Sequence, residues 1–276
     1  MQILAGVGAG PSPITVNYLI IAGGGGATFA GGGAGGYRNS VSGELTGGGG
    51  VAESSLSLTT GITYSTTVGG GGAGRNSDTN GGQGSNSVFD TITSTGGGGG
   101  GTRSATAPSG GGSGGGAGEN RAVGTIATPT QGFIGGEGTV SKDGGGGGAS
   151  EAGNTDSGGY GGDGLASSIT GSSVTRGGGG GSYNTPTSGG AGGGASGVAS
   201  GVAGINGDVN TGGGGGAANV NGGFLAGSGG SGVVILRYAD TFTITIGAGL
   251  TGTESAASGG FKRATITAGT GNVSWA

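Results

Sequence analysis

Tyr18-Leu19-Ile20-Ile21-Ala22-Gly23-Gly24-Gly25-Gly26 is the stretch on which the fold of this chain turns. The apolar run does not alternate, so it reads as a short strand buried on both faces. The glycines behind it have no side chain to pack, and each loses more backbone entropy on folding than any other residue. An ordered glycine run therefore implies backbone-to-backbone contacts too close for a Cβ. The same junction recurs where Val68 leads into Gly69–Gly72 and where Thr95 leads into Gly96–Gly101.

Composition then narrows the class. Glycine supplies 88 of 276 residues and proline only 5. Collagen would need glycine at every third position with many prolines between, and neither holds. Flexible linkers mix glycine with serine and lack strands. Here seven runs of four or more glycines start at Gly23, Gly47, Gly69, Gly96, Gly144, Gly177 and Gly212, with Ile, Val, Leu and Phe in the segments between glycine-rich stretches. Only 8% of residues are charged, whereas disorder joins low hydrophobicity to high net charge.

Bare glycine can be ordered in the polyproline II conformation, with three residues per turn and about 3.1 Å rise, so six residues span about 19 Å. That helix has no internal hydrogen bonds, so neighbouring rods must satisfy one another's N–H and C=O groups. The expected fold is all-β to irregular, a polyglycine II helix bundle edged by short β-strands, plus a small C-terminal β unit. No 3.6-residue period is present, so essentially no α-helix is expected.

Three segments follow from the order of these signals. Residues 1–17 read as an N-terminal lead-in or attachment segment, stiffened by Pro11-Ser12-Pro13. Residues 18–238 form the glycine-rich domain with polar loops. Residues 239–276 read as a separate small β unit. Expected strands are 18–22, 54–58, 62–68, 88–95, a pair around Gly171 within 165–175, 233–238, and then 241–246, 263–267 and 272–275. The strand at Val233–Tyr238 mirrors Tyr18–Ile21 and is expected to lie beside it.

Several function classes fall away. Histidine and cysteine are absent, which removes the Ser/His/Asp triad, the Cys/His pair and thiolate or imidazole zinc sites. Gly111-Gly112-Ser113-Gly114-Gly115 fits the nucleophile-elbow pattern, but no base accompanies Ser113. Gly158 to Leu165 fits one copy of a calcium-binding nonapeptide, a site that needs successive copies. No enzyme, cofactor or metal is expected. A net charge of −4 without a basic cluster argues against nucleic acid, and no apolar run approaches the roughly 18 residues of a membrane span. Met1–Ala5 lacks a basic leader region, so a secretory signal is not expected.

The alternation of glycine rods with polar loops resembles the distal tail-fibre adhesins of T-even-like bacteriophages. The block Asn17–Gly26, the segment Gly31–Arg38 and the close Gly230–Tyr238 are also similar to glycine-rich domains of cyanophage and marine-phage tail proteins. This resemblance implies a sandwich of polyglycine II helices carrying receptor-binding loops, on the tail fibre of a virion. Its partners would be a host cell-surface glycan or outer-membrane protein, other tail-fibre proteins and further copies of the chain. No attachment domain of the T-even kind is visible.

Three classes remain open: an adhesin, a self-assembling glycine-rich structural fibre, and an ice-binding protein. Regular repeats and short turns would mark the latter two, and the loops here are long, unequal and chemically mixed. Within the adhesin class, contact residues should be aromatic, Arg or Asn groups in loops. The candidates are Arg103, Arg121, Phe133, Tyr160, Tyr183 and Asn184.

Overall fold

The computed structural model describes residues 10–103, 107–120, 128–183 and 187–276, and among these there are twelve strands, two single 3-10 turns and no α-helix. The strands are β1 (Pro13–Ile21), β2 (Tyr37–Asn39), β3 (Leu56–Thr59), β4 (Thr63–Thr67), β5 (Ser87–Phe89), β6 (Ile92–Ser94), β7 (Leu165–Ser167), β8 (Val174–Arg176), β9 (Val233–Ala239), β10 (Ile244–Ile246), β11 (Leu250–Glu254) and β12 (Phe261–Trp275). Ten of them form one sheet running β2-β1-β9-β12-β4-β5-β6, with β3 added to β1 and both β10 and β11 added to β12. The sheet nearly closes on itself, because β5 comes back against β1 and β9. β7 and β8 form a separate hairpin around Gly171, where φ is 99°.

β1 and β9 lie side by side, antiparallel, from Asn17↔Arg237 to Ile21↔Val233. Both of their faces are buried. Ile14, Val16, Tyr18 and Ile20 of β1 join Val234, Leu236 and Tyr238 of β9, Phe89, Ile266 and Trp275 in the main core. Leu19, Ile21, Val233 and Ile235 face the other way, onto Tyr37, Val41, Ala149 and Ile169. Trp275 centres the main core, 5.6 Å from Tyr238 and 6.3 Å from Phe89 in edge-to-face geometry.

The elements differ from expectation in several places: β11 was not expected, and the expected strands 263–267 and 272–275 are one strand, β12. β1 starts at Pro13, inside the expected lead-in, because Ile14 and Val16 alternate inward and pair with Leu58 and Leu56 of β3. The expected strand at 88–95 is the β5–β6 hairpin, folded at Asp90 with φ 51°. Strand β2 is three residues long, too short to show a period. Residues 239–276 do not stand apart: β12 pairs with β9 over Phe261–Ile266 and with β4 over Thr270–Ser274. Without it the edge of β9 would be unpaired and Leu236 and Tyr238 would lose Trp275 as cover.

The glycine runs lie beyond the ends of these strands and are joined by backbone hydrogen bonds with a three-residue period. Gly23 and Gly26 donate to Ser85 and Gly82 at 3.0 and 2.8 Å, and Gly24 and Ala27 donate to Gly230 and Gly227 at 3.0 and 2.9 Å. Gly25 donates to Gly33 at 2.8 Å. The carbonyls of the same run accept from Gly97 and Gly100, from Gly72 and Arg75, and from Gly215. One rod is therefore bonded to six neighbours, three through its N–H groups and three through its carbonyls. Residues three apart meet the same neighbour, as a helix of three residues per turn requires. The spacing leaves no room for side chains: a Cβ on Gly23, Gly24 or Gly25 would sit 2.0–2.1 Å from the carbonyl oxygen of Gly70, Gly213 or Gly98.

Candidate functional site

Successive rods run away from the sheet and back, so their connections collect at two ends. At the sheet end, Ala22 donates to Gly36, Gly36 to Thr95 and Gly212 to Ser231. At the far end the centre is the turn Ala27–Ala30. Its backbone is bonded to Arg75, Gly101, Ala218 and Tyr183, residues where four other rods end. The Thr28 hydroxyl closes this turn by donating to the carbonyls of Gly100 and Gly101 at 3.1 and 2.8 Å. A small apolar cluster of Ala27, Phe29, Val198, Ala217, Ala218, Val220 and Ala226 sits beneath the tips, with Tyr183 and Phe224 at its rim.

Two of the residues expected to make contacts meet here. The Arg103 guanidinium reaches Asp143 through two bonds, Nη2–Oδ2 at 2.5 Å and Nε–Oδ1 at 3.1 Å, and lies 3.3 Å from Glu119 Oε2. Its flat face covers Phe29 at 4.5 Å and Tyr183 at 5.6 Å from the ring centres. The two rings are 6.1 Å apart, tilted by 57°. Asp143 is fully buried and also accepts the Glu119 N–H at 2.8 Å. Burial pushes its carboxyl above the ordinary carboxylate range, against the pull of the Arg103 charge. Arg103 thus ties three tips together, those carrying Phe29, Asp143 and Tyr183. The remaining loop surface is mixed in chemistry, with Val140 and Val202 standing 81% and 51% exposed.

A family model described as a glycine-rich domain matches residues 8–239. The chain belongs to this glycine-rich domain family. No curated protein matches the chain. The match ends at the last residue of β9, so the sheet of this glycine-rich domain takes β12 from beyond the family's bounds.

The other candidates are placed differently within the glycine-rich domain. Tyr160 is half-buried beside a tip, and its carbonyl accepts the Asn154 N–H at 2.9 Å. Phe133 is a rod residue near the sheet end, with its N–H on Gly148 and its carbonyl accepting from Gly114, both at 3.0 Å. It was expected in a loop because Glu119 to Asp143 reads as a polar insert between glycine runs, but Gln131 two residues earlier already accepts the Tyr37 N–H of β2. Arg121 and Asn184 lie outside the described residues.

Asn154, absent from the sequence candidates, has more structural work at the tips than Tyr160. Its Oδ1 accepts the N–H groups of Gly145 and Gly159 at 2.9 Å each, and its Nδ2 donates to the Glu137 carbonyl at 2.8 Å. Its φ of 68° is one that Asn adopts more readily than most side chains. Nothing in the linear order brings Glu137, Gly145 and Gly159 together. The Ser113 hydroxyl is buried in the bundle and donates to the Gly148 carbonyl at 3.1 Å. Asp163, of the nonapeptide match, accepts the Ala191 N–H at 2.7 Å. Among the described residues no three carboxylates are grouped as a cation would need, and no helix is long and apolar enough to cross a membrane.

Proposed function

We propose that this protein is a receptor-binding adhesin of a phage tail fibre, in which polyglycine II rods form a rigid frame and the far-end tips bind a host cell-surface glycan or outer-membrane protein. The observation that carries the reading is the segregation of the rod ends. Backbone bonds between rods hold most of the frame, with a few side chains such as Thr28, Ser113 and Asn154 adding to them, so tips that leave those residues in place can vary without touching the hydrogen bonds that order it. Rigid scaffolds with variable loops are the usual division between frame and site. Arg103 then has a positioning role, since its guanidinium is occupied by Asp143, Glu119 and two rings. Contact with the receptor falls to the outer edge of Tyr183, to Tyr160 and to the exposed tips around Val140 and Val202. No catalytic step is assigned. Other tail-fibre proteins would hold the chain on the virion.

The test replaces exposed tips by short glycine-serine turns while leaving Arg103, Asp143 and Asn154 in place. The expected result is an almost unchanged melting temperature, because exposed loop changes usually cost within about 0.5 kcal/mol, together with loss of attachment to host cells. Undiminished attachment would sink the adhesin reading. Filaments from the purified chain in electron micrographs would move it to a structural fibre.

A further inference from the structure

Arg237 of β9 and Arg263 of β12 are direct cross-strand partners, and Asn17 of β1 continues the row on the other side of Arg237. Side chains directly opposite in an antiparallel pair share a face, and like charges so placed repel. The ion pairs among the described residues join Arg38 to Glu53, Arg103 to Glu119 and Asp143, and Lys262 to Glu254, so neither of these arginines is paired with a carboxylate. Glu44 is the carboxylate whose field reaches Arg237. Both of its oxygens are taken, Oε1 by the N–H and hydroxyl of Ser168 and Oε2 by Asn39 Nδ2.

Each guanidinium is held in place yet only part-bonded. Arg237 Nη2 donates to Asn17 Oδ1 at 3.0 Å, and the Asn17 amide is oriented by its own bond to the Ser40 carbonyl at 3.1 Å. The Arg237 group lies 5.1 Å from the Phe261 ring centre, and its Nε is buried without a partner. Arg263 donates from Nε to the Ile169 carbonyl at 2.9 Å and from Nη1 to the carbonyls of Ser258 and Phe261 at 3.3 and 3.4 Å. Arg237 Nη1 and Arg263 Nη2 make no hydrogen bond among the described residues. Burial first, and then the Arg263 charge, press the Arg237 pKa below its ordinary value. Two fixed cations side by side, short of acceptors, are costly to the fold and call for an explanation.

We propose that Arg237 and Arg263 together bind one oxyanion, a sulfate, phosphate or carboxylate group, on the rim of the sheet beside Ile169. Guanidinium forks match such groups geometrically, and a shared anion removes the repulsion between them. Both residues are half-exposed, so the anion reaches them from solvent. The site lies on the sheet, away from the far-end tips, and does not depend on the adhesin reading.

The anion can come as a free ion or as the charged group of a polymer. The full chain, labelled at its arginine nitrogens, is therefore titrated with inorganic sulfate, inorganic phosphate and dextran sulfate at matched ionic strength. Saturable movement of the Arg237 and Arg263 Nε–H resonances is expected, with apparent affinity falling about tenfold or more in Arg263→Gln and in Arg263→Lys, which keeps the charge but loses the fork. Arg75→Gln should bind as the natural chain does. Arg263→Gln relieves the repulsion but gives up the bonds to the Ile169, Ser258 and Phe261 carbonyls, so a cooperative unfolding transition retained well above the titration temperature in this variant keeps binding loss distinct from unfolding. Response to the inorganic ions supports a free-ion site, and response to dextran sulfate alone supports a polymer group. Linear, non-saturating shifts with all three, or shifts undiminished in both Arg263 variants, overturn the proposal.

Discussion

Gly98→Ala and Gly70→Ala add the same methyl group to two glycine runs, and the structure separates their effects by several kcal/mol. A Cβ on Gly98 would lie 2.0 Å from the Ser109 carbonyl oxygen and 2.7 Å from the Gly115 nitrogen. Ordinary contact begins near 3.4 Å, so the neighbouring chain must retreat by about 1.4 Å. That movement opens the bonds from Ser109 to Gly99 and from Gly115 to Ser109, both 3.2 Å, and strains the one from Gly98 to Ser113 at 2.9 Å. A buried polar group left unbonded costs about 1–3 kcal/mol, so two or three such losses come to about 2–9 kcal/mol. Total stabilities are about 5–15 kcal/mol, so the variant should be barely folded or unfolded. Gly70 is exposed, and a Cβ there meets nothing within 4 Å. Alanine at that position narrows the unfolded ensemble and should be neutral or stabilising by about 0.4–1 kcal/mol. Urea unfolding followed through the single tryptophan, Trp275, measures both. Equal midpoints for the two variants would refute the packing of the rods.

Three further outcomes are expected. Arg103→Gln leaves Asp143 buried without its cation and should cost about 3–5 kcal/mol at neutral pH. With Arg103 gone the Asp143 pKa climbs further, and a carboxyl raised in the folded state contributes stability below its unfolded pKa of about 3.9 that is lost as pH rises through the folded value. The deficit, read from urea midpoints, should therefore shrink in acid, and a pH-independent deficit would contradict a buried charge at Asp143. Asn154→Ala should lower stability by about 2–4 kcal/mol, through three lost hydrogen bonds and a positive φ, while Asn154→Asp, which keeps the Oδ1 acceptor, should lose less. Truncation after Ala239 removes β10, β11 and β12 and should abolish cooperative unfolding in calorimetry. A sharp transition from that fragment would show that β12 is dispensable.

Much of the architecture was legible in the sequence where one residue type admits one physical role. Glycine runs of this length can be ordered only by backbone contact, and the apolar runs at Tyr18–Ile21 and Val233–Leu236 can only be buried on both faces, so all-β structure and the pairing of β1 with β9 followed from the residues. The turn at Gly171 followed from its flanking Thr and Ser residues. Strand β2, the turn at Asp90 between β5 and β6, and strand β11 did not: β2 is too short to show a period, and no glycine marks the turn at Asp90 as Gly171 marks that between β7 and β8.

What only the tertiary structure decided is which glycines are crowded, which tips share an end, and what Arg103 touches. Gly70 and Gly98 each have glycine on both sides, yet one faces solvent and the other a carbonyl oxygen. Arg103 reads as an exposed loop cation until Phe29, Asp143 and Tyr183 arrive around it from 74, 40 and 80 residues away along the chain. Glycine carries no side chain to encode a partner, so the register of one rod against six others is written only in backbone hydrogen bonds. Those bonds are set by the closure of the whole bundle rather than by any local pattern.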